Sequence, residues 1–373
     1  GALLTRSSRD IPAPEPSPPF TRSLRDGYAL DHSNTTGASA GAPVFLRLAG
    51  EVSMGESPAF SISEDEAAAI PTGGMLPEGA DSVLMAEDTA AAGGWVEVRR
   101  SVQRGENLIH EGEEISKGDI LIKAGEMIDC FAPGLLGTFG ITSIGVLDTK
   151  IGIISTGDEI VPIDSSPPAG FIRDANTYVI QSVLKRYGWP SKPFGIAPDN
   201  WPDLKFMAGK ALSECGVVLL SGGSSVGARD HTVRVIESAS EPGLLVRGIN
   251  MTPGKPTLIG GSAKEEKLIV GLPGHPLSCM VATIFIVLPL LLAMCGAPDV
   301  HAGRYINLPL ADDVQGRTGS DEFIPMRIDK AGARPLAAKS GYVSAMRNAD
   351  GFVRMRPDRE TLRRGEEAEV WVW

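Results

Sequence analysis

The sequence predicts a multidomain α/β protein, with a central doubly wound parallel sheet flanked by an N-terminal β-rich composite region and a small C-terminal β domain. Three observations carry this expectation. At 373 residues the chain exceeds what one simple core organises, so several domains are expected. Beyond about Leu147, the continuous apolar runs KIGIIS, GVVLLSG and EKLIVGLPG alternate with helix-like segments such as ANTYVIQSVLKRYG and PDLKFMAGKALSE. Strands apolar on both faces, alternating with amphipathic helices, imply a parallel sheet covered on both sides. On either side of this region the texture is of short β-type runs separated by Gly, Pro and Asp turns.

In chain order, the first twenty residues are rich in proline and polar groups and read as an extended arm. Residues 42–98 contain VFLRLAGEV, DSVLMAEDT and WVEVRR, and form an inserted β-rich domain. Residues 1–41 and 99–147 form the linker region around it, with a β-like stretch ILIKAGEMID and a more helical piece from Cys130 to Phe139. Residues 148–298 form the α/β domain, and residues 299–373, with EFIPMRI, GFVRMRP and EAEVWVW, the C-terminal β domain. The run CMVATIFIVLPLLLAMCG, Cys279 to Gly296, is barely long enough to cross a bilayer. Pro289 interrupts it and no Lys or Arg cluster flanks it, so a core helix is expected and no membrane partner.

A formal charge of -11 argues against broad nucleic-acid binding, which needs a basic surface. A small anion remains compatible, because backbone amides at glycine-rich loops and helix N-termini bind anions with little net positive charge. The four cysteines include no CxxC pair, which fits a reducing cytoplasm better than a zinc site or disulfide framework. The N-terminal residues lack the basic-then-apolar pattern of a signal peptide, and a cytoplasmic location is expected.

The strongest chemical signal is VVLLSGGSSVGARDHT, an apolar strand running into Ser221, Gly222, Gly223, Ser224, Ser225, Val226 and Gly227. Glycines there let an anion approach successive amides. The same residues, Gly223 to Gly227, match the G-x-S-x-G elbow of α/β-hydrolases, and the strand-to-helix context suits both readings. In IGIISTGDEIV, Thr156, Gly157, Asp158 and Glu159 close a buried strand with two acids, a donor set that suits Mg²⁺ beside a phosphate. Taken alone, these acids also fit an ordinary solvated turn. Lys255 in MTPGKP offers a cation for an oxyanion. His275, in GLPGHP with Pro273 and Gly274, is a base by chemistry and more commonly structural in such a turn.

Seven motifs occur in order over nearly the whole chain: SLRDGYA, PTGGMLPEGAD, GENLIHEGEEI, STGDE, SGGSSVGARD, PGKP and GLPGHP. Each is weak alone. As an ordered set they resemble the molybdopterin molybdenumtransferase family, and they set the hydrolase reading aside. The resemblance implies an enzyme that inserts molybdate into adenylylated molybdopterin, with Mg²⁺-dependent release of AMP. It also implies a homodimer in which residues 1–41 and 99–147 help dimerisation, and the 148–298 domain binds the pterin against the N-terminal region of the other subunit. The molybdopterin adenylyltransferase and recipient molybdoenzymes would be further partners. By position, Asp26 and Thr72 would reach the site from the partner. Glu114 stands where the family usually has Asp, and Asp199 of GIAPDN matches another family acid. Asp158, Glu159 and Asp230 would hold the metal. Thr156, Gly157, Gly222, Gly223, Ser225, Gly227, Lys255, Pro273 and Gly274 would hold the pterin nucleotide and oxyanion. Ser340 and Gly341 match an element that closes over the site.

Three departures stand out. Thr252 replaces a family Lys before PGKP, His275 replaces an Asn, and Pro325 replaces a C-terminal Arg. Arg327, two residues on, lies on the same strand face and is the candidate substitute. Each lost charge-assisted bond weakens anion binding by roughly 1.5–3 kcal/mol. Such losses motivate an alternative, a divergent pterin-binding carrier or scaffold. A tungstate-specific transferase is equally compatible with the sequence, since the two oxyanions are near-isosteric.

Overall fold

The computed structural model describes residues 5–222, 226–239, 241–262, 265–296 and 303–372, and for 226–230 the backbone alone. By contacts the chain forms two compact units. One comprises Ile11–Leu121 and Leu135–Ile141, the other Gly1–Asp10, Ile122–Gly134 and Thr142–Trp373.

The smaller unit is built on a six-stranded sheet. Its strands are β1 (Gly27–Leu30), β2 (Val44–Glu51), β3 (Glu66–Ile70), β4 (Ser82–Met85), β5 (Thr89–Ala92) and β6 (Trp95–Val98), in spatial order β4-β1-β3-β2-β6-β5. Leu30, Leu46, Leu84, Val96 and Val98 fill its core. The sheet reaches back beyond the expected boundary at residue 42, because β1 lies inside it, antiparallel to β3 and β4. Four residues carry too little alternation to announce a strand, and the pairing partners lie far downstream. A Cβ at Gly27 would sit 2.0 Å from the Leu84 carbonyl oxygen, so this close strand approach requires glycine.

The larger unit holds the doubly wound sheet. Its elements are β7 (Ile151–Thr156), α1 (Asn176–Arg186), β8 (Ser191–Ala197), α2 (Trp201–Glu214), β9 (Val217–Gly222), α3 (Val226–Ala239), β10 (Gly243–Arg247), β11 (Leu258–Ser262), β12 (Lys267–Leu272) and the helix α4 (Pro276–Met294). The spatial order is β8-β7-β9-β12-β11-β10. The first four strands are mutually parallel, and β11 and β10 add an antiparallel edge. The continuous apolar runs have a direct cause in packing. Ile151, Ile153, Val217, Leu219 and Val270 face α1 and α4, while Ile154, Val218, Leu220 and Ile269 face α2 and α3. Burial of each such side chain stabilises by roughly 1.5–3 kcal/mol.

The run from Cys279 to Gly296 falls largely within α4, a helix two-thirds buried in the core that also holds Phe352 and Trp371. The helix relaxes into a π-turn at Thr283–Val287 immediately before Pro289. Proline has no N–H and its ring presses on the carbonyl four residues back, so a widened turn relieves the clash without ending the helix. On its outer side, Phe285 stacks on Phe323 at 4.1 Å and meets Trp371 edge-on at 5.2 Å.

Those two aromatics belong to the C-terminal sheet of β13 (Arg304–Pro309), β14 (Asp321–Asp329), β15 (Gly332–Pro335), β16 (Gly351–Met355) and β17 (Glu367–Val372). The order is β14-β16-β17-β13, with β15 on the free edge of β14. The two-residue strand Met251–Thr252 pairs with the start of β14 on that same edge, so a segment of the α/β region enters the C-terminal sheet. The N-terminal arm is fixed by the buried Arg6, whose guanidinium donates to the carbonyls of Tyr187 (2.8 Å) and Gly125 (2.6 Å) and lies over the Trp189 ring.

Candidate functional site

Parallel strands aim their carboxyl ends at one edge of the sheet, where α/β folds bind ligands. Here β7 ends at Thr156, β8 at Ala197, β9 at Gly222 and β12 at Leu272, and Thr156 pairs in register with both Ala197 and Gly222. Gly222 has φ +120°, and a Cβ there would lie 1.9 Å from the Thr156 carbonyl oxygen. Only glycine lets β9 leave the sheet so close to β7. Of the loop that follows, Gly223, Ser224 and Ser225 lie outside the described residues. Gly227 and Asp230 fall on α3, where the backbone alone is described.

Beneath these strand ends is a buried polar network. Ser155 Oγ donates to Asp174 Oδ1 (2.9 Å), Thr177 Oγ1 donates to Asp174 Oδ2 (2.7 Å), and the Thr177 amide also reaches Asp174 (3.1 Å). The Asn176 amide donates to Ser221 Oγ (2.9 Å) and to the Gly274 carbonyl (2.8 Å). Asn176 thus joins the start of α1 to the Ser221 strand and to the Pro273–Gly274 turn. The sequence reading did not single out Asp174, Asn176 and Thr177. The pattern D-A-N-T ahead of a helix reads as an N-terminal cap, and no periodicity signals that its polar groups are buried.

Acids gather above. Asp158 and Glu159 are exposed, and Asp158 Oδ1 accepts the Asp199 amide at 2.9 Å. Burial pushes the Asp199 carboxyl above its ordinary range, and the Asp158 and Glu159 charges push it further, against the opposing pull of His231 and Thr156. The Thr156 hydroxyl faces Asp199, but Thr156 Oγ1, Asp199 Oδ1 and His231 Nδ1 are all buried without a completed hydrogen bond. A cleft of about 850 Å³ opens beside them, lined by Gly157, Asp158, Asp174, Thr177 and Tyr178 among others.

A second cleft, of about 640 Å³, lies between the α/β region and the C-terminal sheet. Its lining includes Thr252, Pro325, Ser340, Arg317 and Lys339. Ser340 lies against His275, with Oγ 3.3 Å from Nδ1, and its carbonyl accepts the Leu277 amide. Two of the three family departures, Thr252 and Pro325, therefore line one cavity, and the third, His275, lies against Ser340 of its lining. Arg327 does not line it. Two residues along a strand is a step of about 6.7 Å, and that step carries Arg327 away to the β14–β15 hairpin opposite Arg334. The cations at this cleft are Arg317 and Lys339. Lys255 is exposed and lines a separate hollow with Arg247.

In the smaller unit, Asp26 Oδ1 accepts the Thr72 amide at 2.7 Å, so two residues from distant motifs are neighbours. That bond holds the Asp26 carboxyl below its ordinary range. Glu114 is exposed and accepts from Ser17 Oγ at 3.3 Å. Asp31, His32 and Asp81 form the described residues' one tight group of metal-ligand type. Their contacts are already satisfied, since Asp31 caps Ser33 while Asp81 accepts from the His32 backbone and lies 2.6 Å from its Nδ1.

Comparison with known proteins bears on the whole chain. Residues 2–140 match the MoeA N-terminal region (domain I and II), residues 152–293 a probable molybdopterin binding domain, and residues 307–373 the MoeA C-terminal region (domain IV). A putative molybdopterin biosynthesis protein of Methanocaldococcus jannaschii is 31% identical, over 100% of this chain and 90% of its own length. A molybdopterin molybdenumtransferase of Staphylococcus epidermidis is 28% identical over 93% of this chain and 83% of its own. The crystal structure of a molybdopterin biosynthesis moeA protein from Pyrococcus horikoshii superposes with a TM-score of 0.83 at 27% identity, covering 100% of this chain and 92% of that one. Fold, motif order and full-length similarity agree, and the chain belongs to the MoeA family of molybdopterin biosynthesis proteins.

Proposed function

We propose that the protein is a molybdopterin molybdenumtransferase, which inserts molybdate into adenylylated molybdopterin and releases AMP. The observation that carries this is the meeting of four strand ends at one edge, with two unpartnered buried oxygens beside exposed carboxylates. Thr156 Oγ1, Asp199 Oδ1, Asp158 and Glu159 are hard oxygen donors, which fits Mg²⁺ with a phosphate completing its shell. Asp230 is assigned to the same set from its motif. A bound Mg²⁺ would supply charge neutralisation for the phosphoanhydride. The chain's own part is positional. The pterin phosphate is assigned from their motif to Gly222 and the glycine-rich residues after it, and the Asn176 amide holds that strand against the Gly274 turn.

The second cleft suits the oxyanion. Arg317 and Lys339 provide there the positive charge that Thr252 and Pro325 do not, with Ser340 as a hydroxyl donor. In a homodimer, the Asp26–Thr72 pair of a second copy would complete the pterin site. A cytoplasmic location suits such an enzyme.

The test is incubation with adenylylated molybdopterin, Mg²⁺ and molybdate while AMP is followed. Molybdate-dependent AMP release, with metal appearing on the pterin and activity lost in EDTA, is expected. Glu159→Ala should lose turnover while keeping pterin affinity. Arg317→Gln should raise the molybdate KM by about 10- to 100-fold, the value of one charge-assisted bond. Full activity after chelation would remove the cation from the reaction. Tight pterin binding without AMP release would instead identify a carrier, with Thr252, His275 and Pro325 as its marks.

A further inference from the structure

His275 has no role in the transferase reading, yet it stands beside one of the donors which that reading uses. It lies just ahead of α4, where its carbonyl accepts the Cys279 amide at 2.9 Å. Ser340 is held to the same turn through its own backbone, its carbonyl accepting the Leu277 amide at 3.1 Å. The 3.3 Å approach of Ser340 Oγ to His275 Nδ1 is therefore set by main-chain bonds on both sides. The ring also packs close to the next residue, since a Cβ at Gly341 would lie 3.7 Å from His275 Cδ2. Ser340 lines the second cleft with Arg317 and Lys339, so what the imidazole takes from this hydroxyl decides what is left for the cleft.

A serine hydroxyl has one proton to give. A bare Nδ1 accepts that proton, and the oxygen then turns lone pairs towards the cleft, where they repel an oxyanion. An Nδ1 that carries hydrogen donates to Oγ instead, and the hydroxyl proton is left for the anion. Neutral imidazole carries hydrogen on Nδ1 in one of its two tautomers, whereas imidazolium always does. We infer that His275 is a positioning residue for oxyanion binding, whose Nδ1–H fixes the Ser340 hydroxyl as a donor to the second cleft. This role rests on the oxyanion reading of that cleft, and adds to it a group acting through Ser340 and a sign for the pH dependence. Anion binding favours the protonated ring, so the gain is full at low pH and is lost as pH rises through the histidine range, about pH 5 to 8. The charged groups on the elements around the pair are Lys339 beside Ser340 and Arg317, Asp313 and Glu322 in the cleft lining. Arg347 lies on the short helix Val343–Asn348 that packs on α4, and Asp174 lies just ahead of α1. One turn into α4, burial pushes the Cys279 thiol up to about 12, above that range.

Molybdate is the probe, titrated by calorimetry into the full-length protein without pterin. Sulfate, whose charge is constant over the range, is titrated beside it. The expected result is an affinity for both anions that falls about 5-fold from about pH 6 to about pH 8, the difference between a charge-assisted and a neutral hydrogen bond. His275→Asn should bind at one affinity across the range, because its amide N–H stands near the place of Nδ1 and does not titrate. Ser340→Ala should bind more weakly and lose the slope. In protein labelled with ¹⁵N-histidine, the resonance that His275→Asn removes should move towards its protonated position when molybdate is added at about pH 7. A slope that survives in His275→Asn, with Arg317→Gln still weakening binding, would overturn the role of His275 and leave the oxyanion reading intact. A slope with molybdate and none with sulfate would belong to the anion's own proton, and would overturn that role too. Binding indifferent to both Arg317→Gln and Ser340→Ala would place the anion elsewhere and overturn both readings.

Discussion

Asn176 shows how much one side chain can hold in this site. Its amide spans from the start of α1 to Ser221 and to the Gly274 carbonyl. Asn176→Ala should therefore leave one buried and one half-buried acceptor short and cost about 1–3 kcal/mol in a urea titration. A rise in substrate KM should accompany it, because the two loops would no longer be tied. The cysteines make a second expectation at this scale. Burial pushes the Cys279 thiol up to about 12, whereas Cys130 is exposed. Since the thiolate is the reactive form, iodoacetamide at about pH 9 should label Cys130 in the native protein and spare Cys279 until it unfolds. Individual residues were legible in the sequence only where a motif named them. Asp26 and Thr72 were picked from separate motifs and lie 2.7 Å apart. Asp174 went unseen because a capping aspartate and a buried, networked aspartate look alike in one dimension.

Elements were easier to read than residues, for a physical reason. A strand covered on both faces must be apolar throughout, so β7, β9 and β12 declared themselves. Two kinds of element did not. Short strands such as Gly27–Leu30 owe their existence to partners rather than to their own pattern. The Met251–Thr252 strand is in the same position, drawn out of the α/β region by β14. The strand-to-loop exit at Gly222 carries a prediction at this scale. Gly222→Ala adds a Cβ 1.9 Å from a carbonyl oxygen at a positive φ. The backbone conformation alone costs about 1–3 kcal/mol, and relief of the clash must displace β9 from β7. Thermal unfolding should show a loss at or above that range, and pterin affinity should fall with it.

Across the larger unit, the α/β region and the C-terminal sheet share one core through Phe285, Phe323, Phe352 and Trp371. A double-mutant cycle of Phe285→Leu and Phe323→Leu should give a coupling of about 0.5–1.5 kcal/mol, the value of a direct aromatic pair. Independent losses would mean that the two regions stand apart in solution. The C-terminal domain that the sequence reading begins at residue 299 keeps a core of its own around Met326, Val353 and Val370, and adjoins the α/β region through this aromatic group. The aromatic side of α4 also has a consequence during synthesis. A ribosome delivers the helix, with its apolar Phe285 side, before Phe323, Phe352 and Trp371 exist to cover it. For that interval the growing chain presents a greasy ridge with no home, and it needs either a chaperone or a rapid finish. Release of the chain before β16 and β17 are made would strand that ridge in water, so prematurely terminated products of this gene should be cleared or aggregate rather than persist as a working α/β fragment.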